Sequence, residues 1–296
     1  MQDDAHLLAG VAAEPGVGKP DPILVASDVR KAFGGIQAVD VDHLEVQRGC
    51  VTALIGPNGA GKSTFFNCLT GFEDPDRGRW DFEGQPLHRL PAHKVARSGM
   101  VRTFQLTKAL SRLSVIDNML LAAPAQVGEG IFSALVPSRW RGQERRNRER
   151  AMALLERFDI AHMANEYAGT MSGGQRKLLE MARALMVEPR LLMLDEPMAG
   201  VNPALVQSLL EHIRGLRDEG LTVVFVEHDM DVVMDISDWV VCLADGRVIA
   251  EGTPDDISAN PAVIDAYLGT SHSAPPEPEV DLDPSEIASE AEEGTR

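Results

Sequence analysis

The chain has 296 residues, of which 28 are basic and 45 acidic, so its formal net charge at pH 7 is −17. Such a length accommodates one large α/β domain or two small ones with a buried core, and the acidic balance argues against a protein that mainly neutralises nucleic-acid phosphates, so no nucleic-acid partner is expected. The three cysteines, Cys50, Cys68 and Cys242, are scattered and odd in number, which argues against a disulfide framework or a paired-cysteine zinc site and fits a reducing cytoplasm.

Both ends of the chain are predicted to be solvated, disordered tails. Residues 1–22 are rich in Ala, Gly, Pro and Asp without periodicity, and residues 271–296 carry eight acidic side chains and one basic side chain. The stretch Gly-Val-Gly-Lys at 16–19 lacks the first glycine and the hydroxyl of a phosphate-binding loop, so we assign it to the N-terminal tail. No apolar run reaches the ~18 residues of a membrane-spanning helix, so any membrane role is expected to come through a partner.

Between the tails, residues 23–270 alternate between strand and helix patterns. Alternating or continuous apolar residues predict strands at 23–33, 36–46, 51–55, 191–194 and 221–226. Helical periodicity predicts helices at 115–122, 148–158, 175–186 and 203–216. The strand, helix and strand between 191 and 226 are typical of a parallel sheet, so an α/β domain is predicted.

A phosphate-binding loop is predicted directly after the strand at 51–55. The loop fits the pattern G-x-x-x-x-G-K-[ST] and consists of Gly56, Pro57, Asn58, Gly59, Ala60, Gly61, Lys62, Ser63 and Thr64. In such a loop, backbone N–H groups surround the α and β phosphates, Lys62 reaches the β and γ phosphates, and the Ser63 hydroxyl ligates Mg²⁺. An ordinary glycine-rich turn is the alternative, but chance would produce this pattern on the order of once in a hundred such chains.

Two adjacent acidic residues follow the apolar strand at 191–194. We predict that Asp195 holds Mg²⁺ through water and that Glu196 accepts a proton from the water that attacks the γ phosphate. Two acidic residues at this position are also common in helix-capping turns, and the phosphate-binding loop is what favours the functional interpretation.

A second glycine-rich turn precedes the amphipathic helix at 175–186, and it consists of Ser172, Gly173, Gly174 and Gln175. Ser172 and Gln175 have the spacing of a capping box, which leaves the two glycines unexplained. Bare backbone at a helix N-terminus attracts phosphate. Because the chain already has one phosphate loop, we predict that two chains share each nucleotide.

Together these motifs resemble those of the ATP-binding subunit of an ABC transporter, over residues 23–270. The resemblance implies a P-loop, RecA-like core sheet with an antiparallel β edge and a helical signature subdomain at about 106–175. It also implies that Gln105 senses the γ phosphate and contributes to the Mg²⁺ site, that His228 is the switch histidine, and that Phe33 stacks on adenine. Each of these three has an ordinary alternative, namely a solvated glutamine, a core or surface histidine, and a core phenylalanine.

Several segments resemble the LivG-type subunits of bacterial branched-chain amino acid importers more closely, among them VRTFQL, LDEPMAGVNP and GTPDDISANPAVIDAYLG. The position that many ABC proteins fill with aspartate holds Asn202, as in the LivG type. The resemblance implies ATP and Mg²⁺ as ligands, two membrane permeases, a sibling or identical ATP-binding subunit, an extracytoplasmic solute-binding protein, and a place on the cytoplasmic face of the membrane.

Other cargoes and other classes of ATP- or GTP-binding protein are the alternatives to this interpretation. Urea or short amides are an alternative cargo. A soluble ABC ATPase usually has two cassettes or a long coiled coil, a GTPase needs an NKxD motif that the chain lacks, and in an ATP sensor without turnover Glu196 would have no role. The arginine-rich segment 128–150 is predicted to be a solvated helix face, with contact to a permease or lipid headgroups as the alternative.

Overall fold

The computed structural model describes residues 7–103, 111–124 and 137–270 of the chain. Two β-sheets form the framework of this part. The strands are β1 Pro22–Phe33, β2 Ile36–Gln47, β3 Val51–Ile55, β4 Arg77–Phe82, β5 Gln85–Pro86, β6 Met100–Arg102, β7 Leu191–Asp195, β8 Thr222–Val226, β9 Trp239–Ala244 and β10 Arg247–Gly252. The helices are α1 Lys62–Leu69, α2 Ala92–Arg97, α3 Val115–Leu121, α4 Pro137–Arg157, α5 Gly173–Leu185, α6 Pro203–Asp218, α7 Met230–Ile236, α8 Pro254–Ser258 and α9 Pro261–Thr270.

The larger sheet has the strand order β10-β9-β3-β8-β7-β6. Its strands from β9 to β6 run parallel, and β10 pairs antiparallel with β9 at the edge. All residues of β3 and β8 are buried, which explains why both strands read as continuous apolar runs rather than as alternating patterns. The predicted α/β core is therefore confirmed.

The smaller sheet is antiparallel and has the order β2-β1-β4-β5. β1 and β2 form a long hairpin in which Phe33 pairs with Ile36, so the turn at its tip contains only Gly34 and Gly35. One hydrophobic cluster joins this sheet to α1 and to one face of the larger sheet. The predicted antiparallel β edge corresponds to this sheet.

Helices α3, α4 and α5 pack against the opposite face of the larger sheet through a second hydrophobic cluster. The predicted periodicity of α5 is confirmed, because Leu178, Ala182 and Leu185 are all buried. In α4 the charged residues from Arg141 to Arg148 are largely exposed, which agrees with a solvated helix face over that part of the segment. No helix among the described residues is both long and apolar enough to cross a membrane.

The N-terminal region differs from the expectation of a solvated tail over residues 1–22. We use the name N-terminal loop for residues 16–19, which surround the buried carboxylate of Glu251 in β10. Glu251 accepts hydrogen bonds from the backbone N–H groups of Gly16 and Val17 and from the Lys19 ammonium at 2.8 Å. The Lys19 ammonium also lies 4.2 Å from the centroid of the Trp239 ring. A buried carboxylate 232 residues away in the sequence requires a counter-charge, and the apolar content of the N-terminal region does not indicate this requirement.

Candidate functional site

The phosphate loop, Asp195 and His228 come together because three neighbouring parallel strands, β3, β7 and β8, end at the same edge of the larger sheet. The phosphate loop, residues 56–64, follows β3, while Glu227 and His228 follow β8. Asp195 ends β7 and lies in register with Val226, the last residue of β8. In open α/β sheets, ligands bind beyond the carboxyl ends of the strands. The topology therefore assembles one candidate site from motifs that are far apart in the sequence.

Two glycines of the phosphate loop are required by the fold. Gly56 and Gly61 have positive φ angles of 145° and 94°, and a Cβ atom would lie 2.0 Å from the Leu243 carbonyl oxygen and 2.1 Å from that of Ala38, respectively. Gly59 also has a positive φ, but a Cβ there would meet nothing within 4 Å. Gly59 and Ser63 are exposed. The inner glycines therefore shape the loop, and its outer backbone remains open to a ligand.

Lys62 begins α1, and its ammonium lies across the phosphate loop. The ammonium donates hydrogen bonds to the carbonyl oxygens of Gly56 at 2.6 Å and Pro57 at 3.0 Å. Burial lowers the pKa of Lys62, and the nearby negative charge of Glu196 partly opposes that effect. The first N–H groups of α1 have no side-chain cap, since Gly61 is the N-cap residue. Backbone donors and an ammonium thus lie together in one loop, which suits a polyphosphate.

A tyrosine that the sequence analysis did not select contacts the same loop. The Tyr267 hydroxyl in α9 accepts a hydrogen bond from the Gly56 N–H at 2.9 Å. Burial raises the pKa of Tyr267, so the hydroxyl stays protonated at neutral pH. A tyrosine near the C-terminal end of the described chain carries no sequence pattern that links it to residue 56, so only the fold reveals this contact.

Asp195 lies where the sequence predicts a Mg²⁺ ligand, and its side chain forms an ion pair with Arg102 at the end of β6. The alternative of a helix-capping turn does not hold, because the N-cap of the following helix α6 is Asn202, whose side chain accepts the Leu205 N–H at 3.0 Å. The described residues contain no group of three or more His, Cys, Asp or Glu side chains placed to hold a metal. One carboxylate and the Ser63 hydroxyl therefore fit a magnesium ion that takes its remaining oxygen ligands from phosphate and water.

Glu196 has a left-handed backbone conformation, with φ of 45°, which is costly for a residue with a side chain. Hydrogen bonds on both sides hold it in place: its N–H donates to the Val226 carbonyl at 3.1 Å, and its own carbonyl accepts from Lys177 at 3.3 Å. Its carboxylate is near enough to Lys62 to influence the lysine's pKa. The chain thus places the Glu196 carboxylate near Lys62 of the phosphate loop, on a backbone of left-handed conformation, and this position suits the predicted role of a base.

His228 is exposed, and the buried Glu227 next to it organises the surrounding backbone. Glu227 accepts hydrogen bonds from the N–H of Met198 at 3.0 Å and from the N–H of His228 at 3.2 Å. One buried carboxylate therefore links the segment after Glu196 to the predicted switch histidine. Glu227 was not predicted from the sequence, although its position directly before His228 at the end of an apolar strand was an available signal.

The second glycine-rich turn forms the predicted capping box at the start of α5. The Gln175 N–H donates to the Ser172 hydroxyl at 3.3 Å, and the Ser172 N–H donates to the Gln175 side chain at 2.9 Å. Gly174 is buried, and a Cβ there would lie 1.9 Å from Leu205, so packing against α6 already requires this glycine. Ser172 and Gly173 are exposed. These two residues are the part of the turn that another molecule can reach.

Phe33 lies at the tip of the β1–β2 hairpin and is 47% exposed, so it is not a core residue. The Lys31 ammonium lies 5.0 Å from the centroid of its ring. An exposed aromatic ring on a tight hairpin is available to stack on a planar ligand. Gln105, the remaining predicted site residue, lies outside the described residues.

Comparisons with known proteins identify the chain's relatives. Residues 39–199 match the family model of ABC transporters, and residues 247–273 match that of branched-chain amino acid ATP-binding cassette transporters. The second match contains Tyr267, which contacts the phosphate loop, and Glu251, which contacts the N-terminal loop.

Curated relatives align over most of the chain. A probable branched-chain amino acid transport ATP-binding protein, LivG, of Archaeoglobus fulgidus is 42% identical over 85% of this chain and 97% of its own length. The high-affinity branched-chain amino acid transport ATP-binding protein BraF of Pseudomonas aeruginosa is 44% identical over 84% of this chain and 98% of its own. LivG of Escherichia coli strain K12 is 43% identical over the same shares.

Solved structures agree with these relatives. A nucleotide-free ATP-binding cassette from an ABC transporter superposes with a TM-score of 0.73 at 35% identity, covering 83% of this chain and 98% of its own. The ADP conformation of an ABC transporter cassette has the same TM-score and identity, covering 84% of this chain and 99% of its own.

Proposed function

The chain belongs to the family of ABC transporter ATP-binding subunits, and from that premise we propose that it hydrolyses ATP to drive the import of branched-chain amino acids. The observation that supports this most strongly is the convergence of the phosphate loop, Asp195, Glu196 and His228 at the carboxyl edge of one parallel sheet. The cargo is proposed from the branched-chain amino acid relatives and from the family match at residues 247–273. Urea or short amides remain the alternative cargo.

We assign each chemical step of ATP hydrolysis to a residue of the candidate site. The Lys62 ammonium exchanges its two backbone carbonyl partners for phosphate oxygens, and the N–H groups at the start of α1 complete the cradle. Mg²⁺, when bound, neutralises phosphate charge, and Ser63 and Asp195 are the residues that would hold it. Glu196 accepts the proton of the attacking water, His228 orients that water near the γ phosphate, and Phe33 stacks on adenine.

We further propose that Ser172 and Gly173 contact the nucleotide of a second ATP-binding chain, either an identical copy or a sibling. Both residues are exposed at the N-terminus of α5, where backbone N–H groups attract an anion. Two nucleotides then lie between two chains, and hydrolysis reopens the interface. Gln105 is proposed to link the γ phosphate to the membrane partner.

The proposed assembly contains two membrane permeases and an extracytoplasmic solute-binding protein, with this chain on the cytoplasmic face of the membrane. The names of the relatives support such an arrangement, because they are amino acid transport proteins. The division into an ATP-binding domain at 23–270 with a helical subdomain at about 106–175, and an acidic C-terminal tail at 271–296, is part of this proposal.

The substitution Glu196→Gln tests the hydrolytic role. It keeps the size of the side chain and removes its basicity, so the variant is expected to bind ATP, form a dimer in size-exclusion chromatography with Mg²⁺-free ATP, and lose turnover by at least about a hundredfold. Glu188→Gln is the control, since Glu188 forms an exposed ion pair with Arg150. Turnover at the wild-type rate in Glu196→Gln would contradict the assignment of Glu196 as the base.

A further inference from the structure

Arg102 forms an ion pair with Asp195, the carboxylate that the proposed metal site requires. The two side chains are only 9% and 12% exposed. β6 and β7 are parallel neighbours in which Arg102 pairs with Met193, so the arginine side chain extends along the sheet toward Asp195 two residues further on. The protein thus places a positive charge of its own against Asp195, the proposed Mg²⁺ ligand.

Arg102 also has partners on the helix that follows the phosphate loop. Its guanidinium donates to the Asn67 side chain at 2.6 Å, and its centre lies 5.6 Å from the centroid of the Phe66 ring. Both residues belong to α1. If the ion pair with Asp195 opens, the guanidinium therefore keeps a hydrogen bond and an aromatic contact, which reduces the cost of releasing the carboxylate.

We propose that Arg102 is an internal counter-ion that neutralises Asp195 in the absence of a divalent cation and competes with that cation for the carboxylate. This inference rests on the metal site in the proposed function. Arg102 is then a positioning residue whose positive charge sets the affinity of the site for metal. Its removal exposes the full negative charge of Asp195 and raises metal affinity, whereas an arginine that only aligned the carboxylate would lower metal affinity when removed.

Manganese binding tests whether metal affinity rises or falls when Arg102 is replaced. Free Mn²⁺ is measured by electron paramagnetic resonance while Mn²⁺ is added to the full chain with and without ADP, and the Mn²⁺ bound by ADP alone, measured in a titration without protein, is subtracted. The variant Arg102→Met is expected to bind Mn²⁺ on the order of tenfold more tightly than the wild type. Arg102→Lys, which keeps the charge, is expected to remain within about threefold of the wild type.

The matched control is Arg190→Met, which removes a positive charge at the opposite end of β7. Arg190 pairs with the Glu83 carboxylate, as Arg102 pairs with Asp195, and it also donates to the Ser98 backbone carbonyl at 2.6 Å. The Mn²⁺ affinity of the Arg190→Met variant is expected to equal that of the wild type. Thermal melting of every variant shows that the proteins are folded, and Arg102→Gln replaces Arg102→Met if the latter does not fold.

Two results would overturn the inference in distinguishable ways. Unchanged or weaker Mn²⁺ binding in folded Arg102→Met, with nucleotide-dependent binding in the wild type, contradicts the role of Arg102 alone. If the wild type binds no Mn²⁺ in the presence of ADP, the proposed metal site itself is wrong, and the inference fails with it.

Discussion

The phosphate loop and the N-terminal loop contain the same kinds of hydrogen-bond donor but differ in what those donors bind. Each combines glycine-rich backbone with a lysine ammonium. Lys62 donates to carbonyl oxygens of its own loop, whereas Lys19 donates to the buried carboxylate of Glu251. A loop that surrounds a carboxylate of its own protein stabilises the fold, and a loop whose donors face solvent at a helix N-terminus can bind a ligand. The anion partner therefore distinguishes the two loops, in agreement with the glycine and the hydroxyl that residues 16–19 lack.

The N-terminal loop also joins the two sheets. The Lys19 N–H donates to the Glu45 side chain in β2 at 2.6 Å, while the Lys19 ammonium contacts Glu251 in β10. Residue 19 therefore connects the antiparallel sheet to the edge of the larger sheet. We expect the two loops to respond in opposite ways to the same substitution.

The largest expected effect on stability comes from Lys19→Ala. The change leaves Glu251 buried without its counter-charge, so the free energy of unfolding is expected to fall by about 3–5 kcal/mol. Lys62→Ala is expected to change it by less than about 1 kcal/mol, since among the described residues the Lys62 ammonium donates hydrogen bonds to backbone carbonyls alone and leaves no buried carboxylate unpaired when it is removed. Urea denaturation of both variants measures the difference, and equal losses would contradict the comparison.

ATP turnover is expected to show the reverse order. Lys62→Ala removes an ammonium that contacts developing phosphate charge, so turnover is expected to fall about a hundredfold to a thousandfold. Lys19→Ala is expected to stay within about twofold of the wild type at a temperature where both proteins are folded. A Lys19→Ala protein that is folded yet inactive would show that the N-terminal loop acts on the nucleotide site.

The glycine before each lysine offers a smaller test. Gly61→Ala places a Cβ 2.1 Å from the Ala38 carbonyl oxygen at a positive φ, so a loss of about 1–3 kcal/mol in unfolding free energy is expected. Gly18→Ala places its Cβ no closer than 3.8 Å to Glu45, and about 0.5 kcal/mol or less is expected. Thermal melting separates the two, and a tolerated Gly61→Ala would contradict the described loop geometry.

The smallest effect is expected for Tyr267→Phe. Removing the hydroxyl leaves the Gly56 N–H without its acceptor at 2.9 Å, which is expected to weaken ATP binding by about 1 kcal/mol. Equilibrium titration with a fluorescent ATP analogue measures the change. Tyr267→Leu serves as a second variant that also removes the ring, and unchanged affinity in both would show that α9 does not position the loop.

Sequence reasoning succeeded where the chemistry is local. The strand before the phosphate loop, the capping box at Ser172 and the apolar face of α5 all follow from residues close together in the chain. It failed where a partner lies far away. Three contacts join residues on different elements, and no pattern in the sequence predicts them. They are the ion pair of Glu251 with Lys19, the hydrogen bond between Tyr267 and Gly56, and the ion pair between Arg102 and Asp195.

Gly174 shows a different kind of limit. From the sequence, the two glycines beside Ser172 are explained by a phosphate ligand. The second is in fact required by packing, because a Cβ at residue 174 would lie 1.9 Å from Leu205 of α6. A glycine demanded by packing and one demanded by a ligand look the same in a sequence. The prediction of a shared nucleotide therefore depends on the exposed residues Ser172 and Gly173.

The measurement that tests the central claim most directly uses mixed dimers of two inactive variants. Lys62→Ala disables its own phosphate loop, and Ser172→Arg places bulk and charge where the other chain's nucleotide is expected to bind. A mixed dimer, isolated through different affinity tags, has one site in which both contributions are wild type. The account predicts that such dimers trap labelled ATP at that site and recover part of the turnover. Mixed dimers that trap no more ATP than either parent would contradict a nucleotide site shared between two chains.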